Sequence, residues 1–147
     1  MDTAARDVAM LLLRAATQIS EEIRRGVVRR GFSDVRPAHG FAFVRISAGD
    51  ATVVDVAEHL GVTKQAASQL VEQLVQRGYV QRNPDPRDGR SQLLTLTSRG
   101  LACRLAAEEA AVEAISTWVP TLRKGGVDAL RSTLMRVVRP GPIRPTW

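Results

Sequence analysis

The stretch TVVDVAEHLGVTKQAASQLVEQLVQRGYVQRNPDPRDGRSQLLTLT, residues 52–97, decides how the rest of the chain is read. Thr52 stands three residues before Asp55, so hydroxyl and carboxylate can each take a backbone amide left unpaired where a helix begins. Val53, Val56, Ala57 and Leu60 recur at helical spacing, and Gly61 follows at the position where a left-handed residue closes a helix at least cost. Thr63 then caps a second helix, expected over about Lys64 to Arg77, and Gly78 ends it. Tyr79 to Arg82 is a short extended run. Asn83 to Arg90, rich in proline, aspartate and glycine, reads as a loop, and Ser91 to Thr97 resumes as a strand with Leu94 and Leu96 on one face. Helix, tight turn, helix and hairpin in that order make a winged helix-turn-helix, in a chain that is otherwise mainly α.

The second helix has two unlike faces. Ala67, Leu70, Val71 and Leu74 fall at i, i+3, i+4 and i+7 and form one stripe to be buried. Lys64, Gln65, Ser68, Gln69, Glu72 and Gln73 lie on the other. A merely solvated face carries Glu and Lys pairs more often than amides and hydroxyls, whereas a glutamine can pair with adenine through two bonds and a lysine can reach guanine or phosphate. A solvated polar face remains the alternative. The wing favours the nucleic-acid reading, because Arg87 and Arg90 sit at the end of a hairpin where a guanidinium can enter a minor groove or hold phosphates. Asp85 or Asp88 is placed to brace one of them.

Leu60-Gly61-Val62-Thr63-Lys64-Gln65, Leu70-Val71-Glu72-Gln73-Leu74, Arg77-Gly78-Tyr79-Val80, Asp85-Pro86-Arg87-Asp88-Gly89-Arg90 and Leu96-Thr97-Ser98-Arg99-Gly100 together resemble the MarR family of bacterial transcription regulators. The resemblance implies a homodimer that binds a pseudo-palindromic operator in double-stranded DNA and is often released by a small ligand or by oxidation. It places Arg90 where the family's wing arginine reaches DNA and Asp88 where its bracing acid sits. The chain departs from the pattern at Gly89, where many members have another arginine, and at Gln69, where an arginine is common. Both departures leave fewer fixed charges for DNA.

At 147 residues the chain suits one domain, and 44% hydrophobic with only 4% aromatic residues points to an interior of Ala, Leu and Val. The net charge of +6 favours an acidic partner, nucleic acid first. Its distribution tempers that inference: residues 52–97 carry five basic and five acidic side chains. Narrowed to 62–97 the balance is five to three, since Asp55 and Glu58 belong to the supporting helix. The single cysteine excludes an intrachain disulfide, and two distant histidines give no metal cluster. Neither a signal peptide nor a membrane-length apolar run is visible, so a cytoplasmic protein is expected.

Around the winged part, expected over 31–100, the flanks 1–30 and 101–138 read as dimerisation helices and 139–147, with Pro140, Pro142, Arg144 and Pro145, as a flexible tail. Ala9, Leu12, Ala16, Ile19 and Ile23 give the first helix, about Thr3 to Arg30, more apolar surface than one small core uses. Its terminal Arg24, Arg25, Arg29 and Arg30 either suit the helix dipole or meet DNA. Pro37 begins a largely apolar helix through about Ile46. Its His39 is either a satisfied core histidine or, with Phe43, Arg14 and Arg45, part of an effector pocket at the junction where the resemblance places ligands. A helix from about Ser98 to Trp118 is expected to end before Pro120, followed by another over about Val127 to Val138 with Leu130, Leu134, Val137 and Val138 inward. Cys103 is either a packing residue or a redox switch.

These readings converge on a sequence-specific DNA-binding regulator, a repressor relieved by a small molecule. Thr63, Lys64, Gln65, Ser68, Gln69, Gln73, Arg87 and Arg90 would make the contacts, Asp88 would brace the wing, and no cofactor is required. A winged-helix module that binds another protein is the competing reading. No nucleophile, paired-carboxylate or phosphate-loop pattern suggests an enzyme.

Overall fold

The computed structural model describes residues 2–143, so the tail positions Arg144 and Pro145 lie outside the described residues. Seven helices and one hairpin follow in order: α1 Thr3–Arg29, α2 Pro37–Ser47, α3 Val53–Leu60, α4 Lys64–Gln76, β1 Val80–Asp85, β2 Asp88–Leu96, α5 Ser98–Ser116, α6 Val119–Leu122 and α7 Gly126–Val137.

The local signals act as the sequence indicates. Thr52 Oγ1 accepts the Asp55 amide at 3.3 Å while Asp55 Oδ2 accepts the Thr52 amide at 2.8 Å, closing a capping box on α3. Gly61 takes φ 64° and ψ 36° at the end of that helix, the left-handed conformation that costs glycine least. Thr63 Oγ1 accepts the Ala66 amide at 3.1 Å and starts α4.

β1 and β2 pair antiparallel from Val80 opposite Leu96 to Asp85 opposite Asp88. The loop expected over Asn83 to Arg90 is therefore only the two-residue turn Pro86-Arg87. The aspartates explain the difference: Asp85 Oδ1 accepts the Arg87 amide at 2.9 Å and Asp88 Oδ1 accepts the Arg90 amide at 3.0 Å. Backbone donors satisfied locally let the strands run almost to the tip. Pro84, which has no amide to give, marks the irregularity in the ladder. At the other end the Leu94 amide donates to the Ala51 carbonyl at 2.7 Å, an isolated bridge that fastens β2 to the segment leading into α3.

Phe43, Val56, Leu60, Val71, Leu74, Tyr79 and Leu94 fill one core beneath the winged helix, and it continues through Val27, Cys103 and Ala110 where α1 meets α5. That crossing is close because of Gly26: a β-carbon there would lie 2.5 Å from Ala110 Cβ. Arg29 and Arg30 pair with Glu113 at 3.2 and 3.1 Å across the same crossing, and Arg24 and Arg25 with Glu21 at 2.8 and 3.1 Å. The basic cluster at the end of α1 is thus engaged with acids of its own chain.

The helical ends differ from expectation in two ways. α5 stops at Ser116, and Pro120 lies in the first turn of the short α6, where a missing amide costs nothing. Among the described residues none of α7 is buried, and Val137 and Val138 are open rather than inward. The N-terminal half of α1 is likewise bare, with Val8, Met10, Leu11, Leu12 and Leu13 all about half or more exposed. Among the described residues nothing covers these apolar faces.

Candidate nucleic-acid interface

α4 turns Ala67, Val71 and Leu74 into the core and leaves its other side outward. Thr63, Lys64, Gln65 and Gln69 are exposed on that side, with Ser68 and Gln73 half-buried beside them. Glu72 is different from its neighbours. Its carboxylate accepts from Arg82 of β1 at 3.1 Å and from Gln76 at 3.3 Å, which ties the helix to the wing and offsets a charge that would repel phosphate. Sequence reasoning missed Arg82, whose only signal was its i, i+10 separation from Glu72 across a turn.

The two wing arginines are not equivalent. The Arg87 guanidinium lies 3.3 Å from Asp85 and 3.7 Å from Asp50. Asp85 is almost covered, and the Arg87 amide and then its guanidinium hold the carboxyl below the usual carboxylate range. Arg90 is exposed, and among the described residues no acid pairs with its side chain. Asp88, the expected brace, grips the Arg90 backbone rather than a guanidinium. It shapes the turn that presents Arg90, while Asp85 restrains Arg87.

Behind the reading face, Gln69 and Gln73 border an open cleft of about 180 Å³ whose walls include His39, Leu60, Val62 and Leu70. His39 is buried, its Nδ1 accepting the Arg36 amide at 3.0 Å. Burial holds its imidazole below the ordinary range, and the neighbouring Gln73 side chain opposes that shift. The other residues expected to share a pocket with it are elsewhere. Phe43 is fully buried against Tyr79, Arg45 donates to the Gly49 carbonyl at 3.0 Å, and Arg14 is exposed on α1. Cys103 is a packing residue: burial raises its thiol to about 11, which suppresses the reactive thiolate.

A second cluster escaped the sequence altogether. Tyr79 Oη donates to Asp34 Oδ1 at 2.5 Å and accepts from Arg99 Nη2 at 3.1 Å, and the Arg99 guanidinium lies 4.5 Å from the centre of the tyrosine ring. Arg77 adds a bond to the Asp34 carbonyl at 2.5 Å. The Tyr79 bond is the main cause of a lowered Asp34 carboxyl. One knot therefore joins the α1–α2 connection, the end of α4 and the start of α5. Tyr79 reads locally as nothing more than the residue before a strand.

An amide-rich helix, a braced basic hairpin and long flanking helices define a winged helix-turn-helix protein, and among the described residues no helix is long and apolar enough to cross a membrane. Residues 33–91 match the family model described as MarR family, and the chain takes the fold of solved MarR structures. Wild-type MarR from E. coli, in its apo form, is 21% identical with a TM-score of 0.73 over 89% of this chain and 96% of that one. A cysteine-to-serine mutant of E. coli MarR complexed with operator DNA is 20% identical with a TM-score of 0.72 over 95% of this chain and 100% of that one. A probable transcriptional regulator from Pseudomonas aeruginosa is 25% identical with a TM-score of 0.69 over 89% and 96%. No curated protein matches the sequence.

Proposed function

We propose that this protein is a homodimeric, sequence-specific regulator of transcription that binds a pseudo-palindromic operator in double-stranded DNA. The observation that carries the reading is the α4 face, where Lys64, Gln65 and Gln69 stand exposed beside a wing ending in an exposed Arg90. Gln65, Ser68, Gln69 and Gln73 read base edges, and Thr63, Lys64, Arg87 and Arg90 hold the register on phosphates and in the minor groove. The similarity to E. coli MarR solved with operator DNA supports this use of the fold.

The bare apolar faces of α1 and α7 support the dimer, because surfaces of that size on a small protein mark a partner. Joined there, two copies set their reading helices about 34 to 36 Å apart, one turn of the duplex. Bound across a promoter, such a dimer represses. A small molecule relieves repression if it binds the DNA-spaced and the released arrangements with different affinity.

Selection of bound fragments from random DNA, followed by titration against salt, tests the reading. Recovery of an inverted repeat bound by a dimer with a steep salt dependence is expected, because neutralised phosphates release counterions. A monomer at micromolar concentration, or DNA binding with neither sequence preference nor salt dependence, refutes it and favours a winged helix that docks on another protein.

A further inference from the structure

The backbone enters the winged helix through the connection from α1 to α2 and leaves it at Thr97, where α5 begins. Tyr79 lies inside the winged helix, between α4 and β1, and is fully buried. It is bonded to both passages. On the entry side its hydroxyl donates to Asp34 Oδ1 at 2.5 Å, and Arg77, just past α4, donates to the Asp34 carbonyl at 2.5 Å. On the exit side the same hydroxyl accepts from Arg99 Nη2 at 3.1 Å, the Thr97 amide donates to the Tyr79 carbonyl at 3.0 Å, and the Thr97 hydroxyl donates to the Gly78 carbonyl at 2.6 Å. Arg99 closes the ring, its guanidinium 3.6 Å from Asp34 Oδ2 and 4.5 Å from the centre of the tyrosine ring.

Entry and exit are the two places where the chain passes between the reading head and the helices α1 and α5. A head hung on two such passages can turn about the line that joins them. Tying both to one residue of the head removes that freedom, because a turn must stretch or bend a bond of the ring, and hydrogen bonds weaken steeply when bent. The polar ring is not what fills the core. The tyrosine ring does that against Phe32 and Phe43, while the Asp34 and Arg99 side chains are 38% and 52% exposed. Groups that open to water contribute modestly to stability, so replacing either leaves the core intact.

We propose that Asp34 and Arg99 are positioning residues that act through Tyr79 to set the angle of the reading head on α1 and α5, and with it the half-site spacing the dimer accepts. The inference rests on the proposed dimeric reading of DNA. It deepens that reading by naming side chains outside the α4 face that choose between operators. One base pair added at the centre of an operator moves a half-site by about 3.4 Å and turns it by about 35°. Heads held at a fixed angle cannot follow that change, whereas loosened heads follow it at lower cost.

The experiment uses the full chain and three duplexes: the selected operator, and versions with one base pair added or removed at its centre. Affinity is measured for wild type, Asp34→Ala, Arg99→Ala and Asp34→Asn, each checked by thermal unfolding. The wild type is expected to bind both altered duplexes about tenfold more weakly or worse, as a displaced half-site loses base contacts. Asp34→Ala and Arg99→Ala are each expected to narrow that penalty by about fivefold, the net worth of one hydrogen bond. Asp34→Asn keeps an oxygen for the Tyr79 hydroxyl and is expected to fall between Asp34→Ala and the wild type. Destabilisation alone lowers the active fraction and weakens all three duplexes alike, so a purely structural role leaves the ratios where they were. Single-base substitutions within a half-site are expected to affect the variants as they affect the wild type.

The proposal is overturned by a wild type indifferent to spacing, by alanine variants that keep the wild-type penalty, or by variants whose base preferences within a half-site change as much as their spacing preference. Should an alanine variant fail to fold, Asp34→Asn and Arg99→Lys carry the comparison, and an unchanged penalty in both overturns the proposal as well. A wild type that selects no DNA, or binds it only as a monomer, is a separate outcome, which removes the proposed function and this inference with it.

Discussion

The wing offers a quantitative test, because its two arginines differ in what already neutralises them. Arg90 is exposed, and among the described residues no acid pairs with its side chain, whereas Arg87 lies against Asp85 and Asp50. Each phosphate neutralised contributes about 0.9 to the slope of log affinity against log salt. A dimer presents two copies of Arg90, so Arg90→Ala is expected to reduce the slope by about 1.8. Between 50 and 200 mM salt, a fourfold span, the variant's disadvantage then narrows by about tenfold. Arg87→Ala serves as the internal comparison and reduces the slope by less. The assay is fluorescence anisotropy of a labelled operator and of an unrelated duplex across that salt range. Arg90→Ala weakens both duplexes alike, since the contact carries no base information. An unchanged slope, or a loss confined to the operator, refutes the assignment of Arg90 to the DNA backbone and its minor-groove edge.

Three further outcomes concern the scaffold. Gly100→Ala places a β-carbon 2.1 Å from the Tyr79 carbonyl oxygen and 3.1 Å from its carbon, both backbone atoms with little room to yield. It is expected to destabilise by about 1–3 kcal/mol or more, and an unchanged thermal midpoint would show that α5 can shift there. Tyr79→Phe removes the hydroxyl between Asp34 and Arg99 but keeps the ring in the core. Because water reaches Asp34, the loss in chemical denaturation is expected near 1 kcal/mol, and no loss would mean that the knot is idle. His39 has a folded pKa below its ordinary 6.5, so the unfolded chain takes the proton first. Its contribution to stability is complete above about pH 6.5 and declines as the pH falls toward the folded value. His39→Asn should show a shallower decline in that window, and identical pH profiles would exclude the imidazole as the cause.

The winged helix was legible because its signals are local. Thr52 with Asp55, Gly61, Thr63 and Gly78 each act within one turn of themselves, and the stripe of Ala67, Val71 and Leu74 has the period of the element it builds. The wing was legible in outline only, since proline and aspartate announce a turn without showing that their side chains satisfy the backbone and shorten the loop. What the sequence did not disclose are partnerships across long separations. Tyr79 with Asp34 and Arg99, and Glu72 with Arg82, leave no periodic trace, because each depends on how separate elements approach. Phe43 was ambiguous for the same reason: it is apolar and aromatic, which suits a cavity wall and a core equally, and it packs against Tyr79.

The bridge from Leu94 to Ala51 gives the hairpin a second anchor besides its own ladder, and Glu72 with Arg82 provides a third on the neighbouring helix. A blade fastened at its root cannot swing on its own hinge. Any signal that frees the protein from its target must then lift blade and reader as a single tool, and changes of grip have to originate at the handle, where two copies of the chain would be joined.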